Sequence, residues 1–266
     1  MPPRELLSSG NKYFAHMKIQ LIGYDSDLSP KRKRTVFSKA VNESKADLIV
    51  FPGKSLRNMD DLNMLESEIT NDKSLVVFEL KDAKLDNGRH LHNALFLYRK
   101  GKYECLFTSQ FFANADDING NESLMAELFE EIPRRQFVHR GKRFTVLQCG
   151  ETALLVCPKS EGYKARFRFK DNLELNERYE ALLASTDVFL NPIHDLQGEQ
   201  GVMAKRRAAL SADGRYYLST SALNDKMTGK FNSKRIQYIC HNGEELAVKS
   251  DIHENEGYIS RIVEIK

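Results

Sequence analysis

Two ionisable side chains stand where apolar segments end, and a site needs such positions. Leu75–Leu80 reads LVVFEL, with Glu79 between Phe78 and Leu80. A partly buried carboxyl at the carboxyl edge of a sheet can act as a general base; the alternative is a glutamate facing solvent or paired with Lys81. His194 follows DVFLNP at 187–192, the end of a predicted parallel strand, where ligand sites of open α/β sheets cluster. It could serve as the base of a cysteine, or be bonded to its own turn or to Asp195. Lys54, next to Gly53, offers positive charge or is a solvated loop lysine. The four cysteines, Cys105, Cys149, Cys157 and Cys240, are scattered without CxxC pairing, and read as free thiols of a reducing compartment. Seven histidines show no metal-ligand spacing beyond His90-Leu91-His92. That pair reads as a turn or strand edge, so no metal site is expected.

The elements that must position these residues alternate. Strands are predicted at 18–23, 47–51, 75–80, 93–99, 102–107, 143–148, 153–157, 187–191, 216–221, 236–240 and 257–264. Helices are predicted at 30–44, 60–69, 124–131, 173–184 and 200–210. DLIVF at 47–51 is apolar without interruption, as in a strand buried on both faces. Lys100-Gly101 reads as a hairpin turn, and His241-Asn242-Gly243 as a turn between the last two strands. Residues 1–16 carry no periodicity and read as an extension before a single domain at 17–266. The class is α/β, with mixed sheets and outer helices.

The chain has 266 residues, with 40 basic and 37 acidic side chains and a net charge of +3. That balance argues against general attraction to nucleic acid or anionic lipid. No apolar run nears the roughly 20 residues of a membrane span. No secretory signal is read at the start, so a cytoplasmic protein is expected. The basic clusters Lys31–Arg34 and Lys205–Arg207 lack interleaved aromatics and read as solvated helix faces.

Several segments, in order, resemble the nitrilase, or carbon–nitrogen hydrolase, superfamily. They are ADLIVFPG at 46–53, NALFLYRKGKY at 93–103, RFTVLQCGE at 143–151, DVFLNP at 187–192, MAKRRAALSADGRYYLSTS at 203–221 and the closing EGYISRIVEI. The resemblance spans Met17 to Lys266. It implies a four-layer αββα sandwich of two mixed sheets, a homodimer, and a Glu-Lys-Cys constellation hydrolysing small amides or nitriles through a thioester, without metal or organic cofactor. Cys149 falls at the nucleophile's place, in a turn that would expose its sulfur beside backbone N–H groups such as that of Gly150. The first glutamate's place is taken by Gly53. The lysine's place is taken by Gln110, 39 residues before Cys149, which can donate to an oxyanion but carries no charge. Glu127, Glu130 and Glu131 lie where a second glutamate often stands, and read as a solvated face; Glu151 either shares a face with Cys149 or is structural. The expectation is a divergent amidase-like hydrolase using Cys149, with Glu79 or His194 as base and Gln110, Gly150 and Lys54 on the substrate or oxyanion. The alternative is an inactive binding or regulatory protein on the same fold.

Overall fold

Strands apolar on both faces need cover on both sides, and the central strands of this chain are buried from end to end. In the computed structural model the described residues are 4–5, 16–25, 27–85, 88–106, 108–194, 200–222, 236–253 and 256–266. The first strands are β1 (Arg4–Glu5), β2 (Met17–Tyr24), β3 (Leu48–Val50), β4 (Leu75–Lys84), β5 (His90–Arg99) and β6 (Lys102–Cys105). Then come β7 (Gln136–His139), β8 (Lys142–Val146), β9 (Leu155–Val156), β10 (Arg166–Phe167), β11 (Val188–Ile193) and β12 (Tyr216–Ser221). The last are β13 (Gln237–His241), β14 (Glu244–Glu245), β15 (Ser250–His253) and β16 (Tyr258–Ile265). The helices are α1 (Pro30–Glu43), α2 (Met59–Glu68), α3 (Glu122–Glu131), α4 (Leu173–Ala184) and α5 (Gln200–Leu210).

Two seven-stranded sheets result. One runs β15-β16-β2-β3-β4-β5-β6, the other β1-β7-β8-β11-β12-β13-β14, and β9 pairs with β10 separately. Each sheet is mixed: β2, β3 and β4 run parallel in the first, β8, β11 and β12 in the second. Helix α1 opens on Ser29, whose hydroxyl accepts from the Arg32 N–H, with Pro30 in the first turn, where a missing N–H costs nothing. It lays Phe37 on Phe51 and Phe78 of the first sheet, beside Leu62 and Leu65 of α2. Between the sheets, Ile19, Val50 and Val77 pack with Phe144, Val146 and Leu190. Met125 of α3 and Tyr179 of α4 close over Phe189 and Tyr217 on the far side. The order is helix, sheet, sheet, helix, as expected.

Several elements differ from the sequence reading. β4 continues to Lys84, because its second half pairs with β5 after β3 has ended. Of the segment 153–157 only Leu155–Val156 is strand; Cys149–Leu154 is a 3-10 turn whose Ala153 and Leu154 reach the third core cluster. β7 was not anticipated. The turn at 241–243 leads from β13 into β14, and the last strand joins the other sheet, paired with β2 over eight residues. Of the leading extension, Arg4–Glu5 lie parallel to β7. The other residues up to 15, Phe107 of the expected strand 102–107, and Asp195 with the rest of 195–199 lie outside the described residues.

Candidate active site

The parallel strands of both sheets release their carboxyl ends at the same edge. β3 runs into Phe51-Pro52-Gly53-Lys54, β8 into Gln148 and Cys149, and β11 into His194. The Gly53 N–H donates to the Ile193 carbonyl at 3.1 Å, tying the loop after β3 to the end of β11. Glu79 is two residues past the last β3–β4 partner, Val77, at the point where β3 has left the sheet.

Glu79 is fully buried and His194 nearly so, and the structure brings the two together: His194 Nε2 lies 2.7 Å from Glu79 Oε2. The Lys54 backbone N–H donates to the same oxygen at 3.2 Å. Gln148 Nε2 donates to Glu79 Oε1 at 2.9 Å and to the Asn93 carbonyl at 2.7 Å. A buried carboxylate needs partners of this kind. The Cys149 thiol lies close enough to the His194 ring to bear on its charge. Burial alone would lower the imidazole's pKa, but the interactions with Cys149 and Glu79 outweigh it and carry it up to about 10. A thiol, an imidazole and a carboxylate thus stand in one chain of contacts.

Gly53 explains how His194 fits. A Cβ at position 53 would lie 2.0 Å from His194 Cδ2 and 3.0 Å from Glu79 Oε2. The room a side chain there would need is filled by the His194 ring.

Cys149 is half-buried and has φ +42°, a left-handed conformation that a non-glycine residue holds only when its surroundings enforce it. Asn191 Nδ2 donates to the Cys149 carbonyl at 3.1 Å and also to that of Leu147, while Tyr217 Oη donates to Asn191 Oδ1 at 2.6 Å. Next to it, a Cβ on Gly150 would come within 1.8 Å of the Ala113 carbonyl oxygen, so only glycine allows the 111–113 loop to pass. Glu151 is structural. Its carboxylate accepts from the Gln148 N–H at 2.7 Å, from the Phe111 N–H at 2.8 Å and from the Arg135 guanidinium. Arg135, wholly buried, also donates to Thr108 Oγ1 at 2.8 Å and to the Ser109 carbonyl at 2.7 Å. This pair joins the loop carrying Gln110 to the turn carrying Cys149.

Gln110 donates through Nε2 to the Phe112 carbonyl at 2.9 Å and borders a groove of about 420 Å³ with Asn93, His90, His92 and Phe112. Neither Cys149, Glu79 nor His194 lines that groove. Lys54, at φ +55°, gives the site its backbone N–H. Burial pushes the Cys240 thiol up to about 11 and raises that of Cys157, and Cys105 is buried. Glu127, Glu130 and Glu131 lie on the outer face of α3, with Glu130 bonded to Arg178 and Glu131 to Arg134. Lys31–Arg34 is a surface cluster, but in Lys205–Arg207 the third residue departs from a solvated face: Arg207 is buried, its guanidinium 3.7 Å from the centre of the Tyr238 ring. Gln148, Asn93, Arg135 and Asn191 were not singled out in the sequence. Gln148 and Asn191 do stand inside two of the quoted segments.

No family model and no curated protein matches the sequence, whereas solved structures match the fold. XC1258 from Xanthomonas campestris, a CN-hydrolase superfamily protein with an arsenic adduct in its active site, is 11% identical, with a TM-score of 0.56 over 93% of this chain and 90% of its own. An amidase of the nitrilase superfamily from Nesterenkonia AN1, solved as a Cys-to-Ala mutant, is 12% identical, with a TM-score of 0.53 over 95% and 92%. The glutamine-dependent NAD(+) synthetase of Cytophaga hutchinsonii, 12% identical, gives 0.55 over 94% of this chain, which spans 43% of that longer protein. The chain has the nitrilase-superfamily fold. In another structure of the Nesterenkonia amidase, the acetamide moiety of fluoroacetamide is added covalently at the active-site cysteine. Among the described residues no helix is long and apolar enough to cross a membrane.

Proposed function

We propose that this protein hydrolyses a carbon–nitrogen bond of a small amide through Cys149, with His194 as acid and base and Glu79 as its orienting carboxylate. The observation that carries the reading is the His194 ring, bonded to Glu79 and close to Cys149 in the space that Gly53 leaves open. The fold's amidase neighbours supply the substrate class.

An imidazolium beside a cysteine favours the thiolate, the nucleophilic form. The sulfur attacks the amide carbon, and the carbonyl pair moves to oxygen. On this reading, backbone N–H groups of the Cys149–Gly150 turn donate to that oxygen. As the tetrahedral adduct collapses, the imidazolium gives its proton to the amine nitrogen, the C–N bond breaks and a thioester remains. The neutral imidazole then takes a proton from water as its oxygen attacks the thioester. The acid leaves, the carbon–sulfur bond breaks, and thiolate and imidazolium are restored. Glu79 is held by Gln148 and the Lys54 N–H, so it keeps the ring in one orientation throughout.

The test is site-resolved alkylation of the native protein, with amide hydrolysis measured in parallel. Near neutral pH, Cys149 is expected to label fast while Cys105, Cys157 and Cys240 stay inert. His194→Ala should slow both labelling and hydrolysis by about 10²- to 10⁴-fold. If Cys149 reacts no faster than a free thiol, the nucleophile is lost. The Gly53 and Gln110 replacements would then favour a binding or regulatory protein.

A further inference from the structure

We propose that Asp82, His90 and His92 form an open three-ligand site for a divalent metal ion, with zinc the ion the donor set suits. The site lies on the β4–β5 hairpin, apart from Cys149, and does not depend on the hydrolase reading.

The geometry comes from the sheet. Asp82 and His92 are direct cross-strand partners in an antiparallel pair, so both side chains leave the same face. His90 is two residues before His92 on β5 and projects to that face as well. One ligand atom from each of the three lies within 4.8 Å of the others. His92 Nδ1 is 2.8 Å from Asp82 Oδ1, and the two imidazoles meet edge to face with centroids 4.6 Å apart. A tetrahedral zinc ion with bonds of about 2.0–2.2 Å holds its ligand atoms roughly 3.3–3.6 Å apart. Small side-chain rotations at this exposed rim reach that spacing. Two imidazole nitrogens and one carboxylate oxygen are borderline donors suited to zinc, cobalt, nickel or copper rather than to magnesium or calcium.

Three protein ligands leave a coordination position open, as in zinc sites that take an exchangeable group. Both histidines line the groove of about 420 Å³ that also holds Asn93, Gln110 and Phe112. An ion held here would place its free position on that groove, where water or the carboxylate of a bound molecule completes the shell. Periodicity along the strand shows only the His90-Leu91-His92 pair; Asp82 joins it through strand register.

The test titrates the full chain, stripped with a chelator, with cobalt(II) followed by zinc. One equivalent of cobalt is expected, with tetrahedral visible bands that zinc displaces and no thiolate charge-transfer band. His92→Ala and His90→Ala should each weaken binding by at least about tenfold, whereas Cys149→Ala should leave it unchanged. Imidazole resonances of His90 and His92 shifting on zinc addition to the unmutated protein give a readout that needs no variant. Unchanged binding in both histidine variants overturns the proposal, as does a thiolate band abolished by Cys149→Ala, which would put the metal on the cysteine.

Discussion

At position 53 a glycine leaves room for a ring that comes from the other sheet. Gly53 and His194 therefore behave as one unit, because a Cβ on the first would collide with Cδ2 of the second at 2.0 Å. Gly53→Ala is expected to destabilise the protein by about 1–3 kcal/mol through overpacking, and to slow Cys149 alkylation by turning the imidazole away. Once His194→Ala has emptied the space, adding Gly53→Ala should cost clearly less, since only the 3.0 Å approach to Glu79 Oε2 remains. Urea unfolding of the two single variants and the double variant measures this coupling. Equal costs of Gly53→Ala in both backgrounds would show that His194 does not fill that space. Cys149 offers a second residue-scale test. At φ +42° a Cβ is disfavoured by about 1–2 kcal/mol, so Cys149→Gly should be the more stable substitute and Cys149→Ala the less stable, by about 1 kcal/mol. That reverses the usual order, in which glycine loses to alanine through chain entropy. Thermal unfolding decides it, and alanine coming out ahead would mean the turn relaxes when the sulfur is removed.

At the scale of elements, the turn after β8 is held from both sides. Asn191 of β11 grips its carbonyls, and the Arg135–Glu151 pair fastens it to the 108–111 loop. Both members of that pair are wholly buried, so the arrangement depends on mutual neutralisation. Glu151→Gln keeps the size but leaves the guanidinium without its counter-charge and weakens acceptance from the Gln148 and Phe111 N–H groups. The expected cost is about 3–5 kcal/mol, read by denaturant midpoints, with Cys149 reactivity falling as well because the turn loses its tether. A loss below about 1 kcal/mol would mean that Arg135 finds other partners. These supports were hidden in the sequence for a physical reason. Gln148 reaches Glu79 across 69 residues and His194 reaches it across 115, so their roles exist only after both sheets have formed. The end of β3 is legible, because the continuous apolar run DLIVF stops where the backbone leaves the sheet, whereas β4 runs on past LVVFEL to Lys84. Glu79 and His194 could be named from such runs, though only as alternatives. The stretch 153–157 reads as a strand because it is continuously apolar, but Ala153 and Leu154 serve the outer core from a 3-10 turn and only Leu155–Val156 is strand.

Over the whole molecule, the two αβ halves meet at a face where polar groups also cross. Thr220 Oγ1 donates to the Ile22 carbonyl at 2.6 Å and Gln237 Nε2 to that of Leu21 at 2.9 Å, while Gly23 admits Ile236 within 2.7 Å of where a Cβ would sit. The site depends on this union, since Glu79 comes from one sheet and Cys149 and His194 from the other. Folding stability should therefore report His139 and His194, both carried by the second sheet and each bonded across to the first half, as pH changes. Burial pushes the His139 imidazole down to about 4 despite its bond to the Asp47 carbonyl. Its unfolded form takes a proton at about 6.5, so stability is lost as pH falls from 6.5 towards 4. His194 acts with the opposite sign. Its folded value is raised to about 10, so its contribution is complete below about pH 6.5 and is lost as pH climbs to about 10. The two together predict a dome, with His139→Gln flattening the acid limb and His194→Gln the alkaline limb. Unfolding free energies measured across this range test the slopes, which matter here more than the absolute loss each variant suffers. An alkaline limb that stays as steep in His194→Gln would show that the imidazole is not held protonated beside Cys149 and Glu79, and would remove the acid from the proposed mechanism.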